Sequence, residues 1–360
     1  MVKITEIKVP GYEKVIEGID PHAGLHCFIA VHNTDLGPSL GGTRIYPYKN
    51  KESALQDALR LSKAMTYKSA LVETGLGGGK GVIIADPSKD KSEALLLAYA
   101  EVINHLEGLY IAAEDVGTTA DDIAIVSRGT RYVAALPHEK SSGDPSRFTA
   151  WGVFLGIQAV AETLWGSKDL HGKRIAIQGI GNVGEKLARL LFWHGAELLI
   201  ADIAEEKVKN MAVRYGGTII DTQTFAEANC DILCPCALGG IINAESVSKL
   251  NCQAIAGSAN NQLEHSDLAD ILKVKEILYA PDYVINAGGV INAASEFEQE
   301  GYDPKRSRDK VENIYATLKT IFKEAKESDQ STSAVADALA EYKLTNQIGR
   351  RTKPMRFPLG

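Results

Sequence analysis

The stretch RIAIQGIGNVGEKLARLLFWHGAELLIAD, residues 174–202, decides the fold. Its first five residues, Arg174–Gln178, are a short apolar run of strand type. Gly179, Gly181 and Gly184 follow in the spacing G-x-G-x-x-G, and a helical pattern runs from there to about Trp193. A second apolar run, residues 197–203, contains Asp202, 23 residues after Gly179. A glycine motif alone is a weak signal. Set between a strand and a helix, with an acid at the end of the next strand, it is a dinucleotide fingerprint. The first glycine permits a tight turn, the second lets a pyrophosphate approach the backbone, and the third lets helix and sheet pack closely. Asn182 and Val183 begin the helix, whose free N–H groups and dipole favour phosphate. Asp202 would accept hydrogen bonds from ribose hydroxyls and repel a 2′-phosphate. The cofactor expected is therefore NAD rather than NADP.

Downstream, a helix pattern over residues 205–215 separates further apolar runs at 218–220, 231–233, 253–256 and 276–280. Strands alternating with helices mean βαβ units and a parallel sheet. Upstream, strand-like runs at 25–32, 81–85 and 110–113 alternate with helical patterns at 51–68 and 92–106, and another helix begins near Thr119. At roughly 150 residues per domain, 360 residues suggest two domains. The expected class is α/β. An N-terminal α/β substrate and oligomerisation domain covers 1–135. A Rossmann-type domain covers 136–330. A C-terminal helix and tail, 331–360, has helices from about 330 returning to the first domain. The boundary falls near residues 137–149, a polar, turn-rich segment, and the cleft between the domains is the expected site.

Composition narrows the function. The formal net charge is 39 − 46 = −7, without the basic face of a nucleic-acid binder. No run approaches the roughly 18 apolar residues of a membrane span, and the N-terminus lacks the apolar core of a secretory signal. Five cysteines (27, 230, 234, 236 and 252) are too few and odd in number for a disulfide framework. They read as buried thiols without a metal, in a reducing cytoplasm.

The first domain has its own chemistry. Lys80 follows Gly77, Gly78 and Gly79 and introduces the next strand. Glycines without side chains would let a substrate lie on the backbone. Lys80 would then bind a carboxylate, or act as a base with its pKa lowered by burial or by a nearby cation such as Lys68. Asp115 follows a strand beside Glu114. Adjacent residues of an extended chain face opposite ways, so one of the two carboxylates faces the cleft. Asp115 reads either as a proton shuttle or as a helix cap. Gly41 and Gly42 offer backbone that a ligand can approach, or a simple loop.

These residues sit in LGPSLGGTR (36–44), MTYK (65–68), GLGGGKGVIIADP (75–87), YIAAEDVGTT (110–119), GIGNVG (179–184), CPCALGG (234–240), IAGSANNQL (255–263) and YAPDYVINAGGVIN (279–292). In this ordered set the chain resembles the amino-acid dehydrogenases of the glutamate, leucine, phenylalanine and valine family, nearest to the leucine enzymes. The resemblance implies NAD-dependent, reversible oxidative deamination of an apolar L-amino acid to its 2-oxo acid, ammonia and NADH. It implies that Lys68 binds the substrate carboxylate with help from Gly41, Gly42 and Met65. Lys80 would activate water and Asp115 would exchange a proton with the amino group. Thr149, Ala237, Asn261 and Asn286 would lie on the cofactor side. It further implies a cytoplasmic homo-oligomer, commonly an octamer.

Leu40 stands where the glutamate enzymes carry a lysine, and a leucine cannot neutralise a buried distal carboxylate. Ala113, Val290 and Ala293 complete an apolar pocket. Valine is usual at the position of Ala293, and the smaller residue opens room for an aromatic substrate such as phenylalanine or tryptophan. Thr74, Arg147, Phe148 and Ser295 also depart from the pattern without removing a catalytic group. A reading of another class, a non-catalytic dinucleotide-binding relative, would leave Lys68, Lys80 and Asp115 without a task.

Overall fold

The computed structural model describes residues 1–136, 141–237 and 239–357. The chain forms two compact units: Met1–Asp144 with Val290–Ser307 and Ala340–Gly360, and Pro145–Gly289 with Arg308–Leu339.

The first unit is built on a mixed sheet of six strands: β1 (Lys3–Glu6), β2 (Lys14–Asp20), β3 (Leu25–Asn33), β4 (Ser39–Tyr46), β5 (Gly77–Ile84) and β6 (Tyr110–Glu114). Their order is β1-β2-β3-β5-β4-β6. The pairs from β1 to β5 are antiparallel, while β4 runs parallel to both β5 and β6. Alternation along the strands separates two cores. Phe28, Ala30 and Val82 pack with Ala54 and Ala58 of helix α1 (Lys51–Leu71). Cys27, Ile29 and Ile83 face the other way, onto Leu96, Tyr99 and Ile103 of α2 (Glu93–His105). A capping box at Thr119 starts α3 (Ala120–Ser127) where the sequence places a helix start.

The glycine–lysine motif is strand, not loop. β5 begins at Gly77, and residues 77–83 are buried. The sequence reading, in which substrate lies on these glycines, is corrected by what surrounds them. A Cβ on Gly78 would come within 2.1 Å of the Thr66 nitrogen of α1, and one on Gly81 within 1.8 Å of the Tyr99 hydroxyl. The glycines let helix and neighbouring side chains press against the sheet. Tyr99 is fully buried and its hydroxyl accepts from Thr43 Oγ1 at 3.2 Å, so it has nowhere to retreat. Gly81→Ala is therefore expected to cost roughly 1–3 kcal/mol by overpacking, read as a lower midpoint in urea unfolding. An unchanged midpoint would contradict this packing account.

The second unit carries β7 (Arg174–Gln178), β8 (Glu197–Ala201), β9 (Thr218–Ile219), β10 (Ile232–Pro235), β11 (Ala254–Ile255) and β12 (Leu278–Tyr279). All pair in parallel, in the order β12-β11-β10-β7-β8-β9. This is the doubly wound order, reversing between β7 and β10. β8 stops at Ala201, two residues before the end of the apolar run. Asp202 turns the chain there, its carboxylate accepting from the N–H of Ile180 (2.5 Å) and of Ala204 (2.8 Å).

Helix α4 (Ser146–Trp165) begins inside the segment read from the sequence as a boundary. Ala150, Val153, Phe154, Ile157, Val160 and Ala161 are among its buried residues, and so broad an apolar surface leaves no amphipathic stripe to recognise. The other helices are α5 (Asn182–Trp193), α6 (Glu205–Tyr215), α7 (Ser246–Lys249), α8 (Leu268–Val274), α9 (Asp282–Ile285), α10 (Gly288–Ala294), α11 (Pro304–Val311), α12 (Asn313–Ser328) and α13 (Thr332–Thr345). Ile314 and Leu318 of α12 lie where Cβ atoms on Gly152 and Gly156 of α4 would go.

Residues 290–307, placed in the nucleotide domain by the sequence reading, pack in the first unit. The buried carboxylate of Glu296 explains the return. Its Oε1 accepts from Ala135 N (2.9 Å), Ser141 Oγ (2.8 Å), Ser142 N (2.7 Å) and Ser142 Oγ. Asn292 Nδ2 adds a bond to Ser142 O. Residues 137–140 of the expected boundary lie outside the described residues. No helix among the described residues is long and apolar enough to cross a membrane. All five cysteines are free; Cys236 and Cys252 are half-buried rather than buried, since each lies in loop next to a strand.

Candidate active site

In-register parallel pairing brings together residues that are distant in sequence. Leu40 of β4 pairs with Gly78 of β5 and Ile111 of β6, and Gly42 pairs with Ala113. With side chains alternating along each strand, Leu40, Gly42, Arg44, Gly78, Lys80, Ala113 and Asp115 share one face. That is the face covered by α1, which carries Met65 and the buried Lys68. Glu114 points the opposite way, as the alternation predicts.

Lys80 is 5% exposed, and its Nζ donates to Asp115 Oδ2 at 2.7 Å. Arg44 Nε donates to the same oxygen at 2.9 Å. Arg44 also reaches Asp57 Oδ2 at 2.9 Å, which in turn accepts from the Tyr48 hydroxyl at 2.6 Å. A Cβ on Gly42 would lie 2.7 Å from Asp115 Cβ, so the glycine makes room for the carboxylate. Gly41 likewise admits Gly79 O, within 1.7 Å of the missing Cβ. Both belong to a buried strand rather than a loop.

These contacts set the ionisation. Burial pulls the Lys80 pKa below the ordinary lysine value; Asp115 opposes this and Arg44 reinforces it. Burial pushes Asp115 up, but Lys80 and Arg44 outweigh it and bring its pKa down to about 2. The sequence reading gives Lys68 as the cation acting on Lys80. In the structure Arg44, paired to the same carboxylate, is a cation that does so. Arg44, Asp57 and Tyr48 were not singled out from the sequence. The signal was present in the two-residue step from Gly42 to Arg44, but it is readable only once β4 is known to be a strand.

Leu40, Ala113, Val290 and Ala293 fall into one apolar cluster with Leu76, Ile111, Ala134, Ala294 and Phe297. Leu40 is 2% exposed and Ala293 6%.

In the second unit the glycine turn has the shape the fingerprint demands. Gly179 has φ +99°, and a Cβ there would lie 2.8 Å from Ala237, on the loop after β10. Gly181 caps α5 and has open space around it, whereas a Cβ on Gly184 would strike Gly179 O at 1.9 Å. Asn182 is exposed and Val183 half-buried in the first turn of α5. Asp202 comes to the same turn through its bond from Ile180 N.

Asn261 has φ +52° and its carbonyl accepts from Gly240 N at 2.7 Å. Asn286 Nδ2 donates to Ser258 O (3.1 Å) and Asn260 Oδ1 (2.7 Å). Its buried Oδ1 has no partner among the described residues, an acceptor suited to a carboxamide N–H donor. Thr149 lies near, at the first turns of α4, with its Oγ1 2.8 Å from a Cβ placed on Gly289. The open Gly181, the acid at the turn and this orphaned acceptor fit a dinucleotide.

Residues 15–132 match the Glu/Leu/Phe/Val dehydrogenase dimerisation domain, and residues 142–201 and 194–348 match Glutamate/Leucine/Phenylalanine/Valine dehydrogenase. The chain is 47% identical over 334 residues to a leucine dehydrogenase of Geobacillus stearothermophilus, covering 92% of this chain and 90% of that one. It is 44% identical over 326 residues to a phenylalanine dehydrogenase of Lysinibacillus sphaericus, with 88% and 84% covered. The crystal structure of L-tryptophan dehydrogenase from Nostoc punctiforme matches with a TM-score of 0.82 at 43% identity, over 94% of this chain and 96% of that one.

Proposed function

Since the chain belongs to the Glu/Leu/Phe/Val dehydrogenase family, we propose that it catalyses NAD-dependent, reversible oxidative deamination of leucine, valine or isoleucine. It is an amino-acid dehydrogenase. The observation that carries the finer reading is the buried Lys80–Asp115 pair on the same sheet face as Leu40 and Ala113.

Lys68 holds the substrate carboxylate. The aliphatic side chain lies against Leu40, Ala113, Val290 and Ala293, apolar groups that cannot neutralise a second carboxylate. Asp115 Oδ1, to which neither Lys80 nor Arg44 donates, takes a proton from the substrate ammonium. When bound, the nicotinamide supplies the hydride acceptor, and the turn from Gly179 to Gly184 with Asp202, Ala237, Asn261, Asn286 and Thr149 holds the dinucleotide. Neutral Lys80 then removes a proton from the water that attacks the iminium carbon, returns it to the nitrogen, and takes the hydroxyl proton as the carbonyl forms and ammonia leaves. A lysine with a lowered pKa suits this, because its free-base form is populated nearer neutral pH. The dimerisation-domain match supports a homo-oligomer, and the resemblance points to an octamer.

A second reading, an aromatic substrate, is favoured by Ala293 and by the phenylalanine and tryptophan enzymes among the relatives. NADH formation across leucine, valine, isoleucine, phenylalanine, tryptophan and glutamate, with NAD and with NADP, decides between them. The expected result is highest kcat/KM for the three branched substrates with NAD. Dominance of phenylalanine or tryptophan would reassign the pocket and keep the mechanism. Silence across the panel in folded protein would overturn the proposal.

A further inference from the structure

The residues after α13 form a strap across the first unit. Gly349 turns with φ +77° beside the Glu73 side chain. Arg351 N then donates to Leu36 O at 2.8 Å, its Nε to Gly75 O at 3.2 Å and an Nη to Phe297 O at 3.3 Å. Leu36 and Gly75 begin two of the motifs that build the active-site sheet face. The Pro354 carbonyl accepts from Gln299 Nε2, and Arg356 N donates to Phe297 O at 3.3 Å. Met355, between the Pro354 and Arg356 anchors, and Phe357, just after them, pack onto the apolar cluster that contains Leu40, Ala113, Val290 and Ala293. The Phe357 ring meets Phe297 edge-on at 5.5 Å and Tyr132 at 5.3 Å, with the Arg131 guanidinium 5.5 Å above it.

We propose that this strap is a wall of the side-chain pocket, and that Met355 and Phe357 hold the pocket to branched-chain size. The inference rests on the proposed function and concerns its specificity. The argument starts from Ala293. Alanine there removes bulk from one side, and by itself would admit a larger side chain. The bulk is restored from a distant part of the chain. Phe297 lies one helical turn beyond Ala293, and Phe357 packs against Phe297. Aromatic rings add volume and stiffness together, since they have few rotatable bonds. The strap's hydrogen bonds, from backbone N–H groups and from the Arg351 side chain, go to both sheet motifs and to Phe297, so the inserted side chains are held rather than merely resting on the surface.

Phe357→Ala and Met355→Ala, singly and together, test this in the full-length enzyme. The expected result is a rise of about tenfold in the ratio of kcat/KM for phenylalanine or tryptophan over leucine, the size of effect that one or two side-chain carbons have in an apolar pocket. The change should appear in KM for the aromatic substrates, and should exceed any change in kcat for leucine. A strap that only stabilises the fold would lower turnover of all substrates together and leave the ratio alone. A ratio within twofold of the unaltered enzyme, with leucine turnover intact, overturns the proposal. If the alanine variants fail to fold, Phe357→Leu and Met355→Val retain apolar packing and are read by the same ratio. Amino-acid turnover by the unaltered enzyme is measured alongside. Its absence would overturn the functional reading, and an unmoved ratio in its presence overturns the strap alone.

Discussion

Lys80→Ala is expected to lower kcat for oxidative deamination by roughly 10²–10⁴-fold, the usual contribution of a general acid–base group. The amine is buried, touches Asp115 at 2.7 Å, and has its pKa lowered chiefly by burial. Its neutral form is reached at a lower pH than that of an ordinary lysine. NAD affinity, followed by fluorescence or calorimetry, should not change, because the glycine turn and Asp202 belong to the other unit. The limb of the pH–rate profile that reports Lys80 should vanish with the side chain. Removing Lys80 also takes away one of the two cations that hold Asp115 down. A folded-state pKa lowered from 3.8 to about 2 contributes stability that is present above pH 3.8 and lost as pH falls toward 2. The variant should therefore lose part of that stability at pH values above about 3.8. Full activity in Lys80→Ala would remove Lys80 from the chemistry.

Arg44→Met is expected to move the rate profile in a direction fixed by charge. Arg44 lowers the Lys80 pKa, so its loss raises that pKa and shifts the activity limb to higher pH. At a pH below the limb this reads as a slower reaction. Loss of Arg44 also leaves Asp57 and Asp115 without their shared partner in a region where Arg44, Asp57 and Asp115 side chains are 19%, 14% and 20% exposed. Breaking a buried pair costs about 3–5 kcal/mol, and the low end is expected because Arg60 still pairs with Asp57 and Lys80 with Asp115, measurable by urea unfolding. Arg44→Lys restores the charge without the two-pronged geometry, so the pH limb should recover further than the stability. A profile that stays in place in Arg44→Met would show that Arg44 does not act on Lys80.

The nucleotide-binding half was legible because its signals are local. Strand, glycine turn, helix and acid lie within 174–202, and each was read from neighbours in the sequence. The first half was less so. β4 contains Gly41 and Gly42 and reads as loop until β5 and β6 flank it. α4 is apolar on most of its surface, so periodicity does not announce it. Residues 290–307 return to the first unit through bonds from Glu296 to residues more than a hundred positions away.

The sequence by itself determined the two-domain α/β class, the family, and the glycine fingerprint, and it marked Lys68, Lys80 and Asp115 as candidates. The fingerprint follows from residue type at short spacing, where backbone geometry leaves few alternatives; the family and the candidates follow from an ordered set of motifs along the chain. Only the tertiary structure decided that Lys80 sits within a buried strand, that Arg44 and Asp57 complete its charge network, and that the C-terminal strap reaches the apolar cluster. Each of these joins groups far apart along the chain: 35 positions for Lys80–Asp115, 71 for Arg44–Asp115 and 276 for Arg351–Gly75. Pairing across such separations is set by strand register and core packing, which a local pattern does not encode.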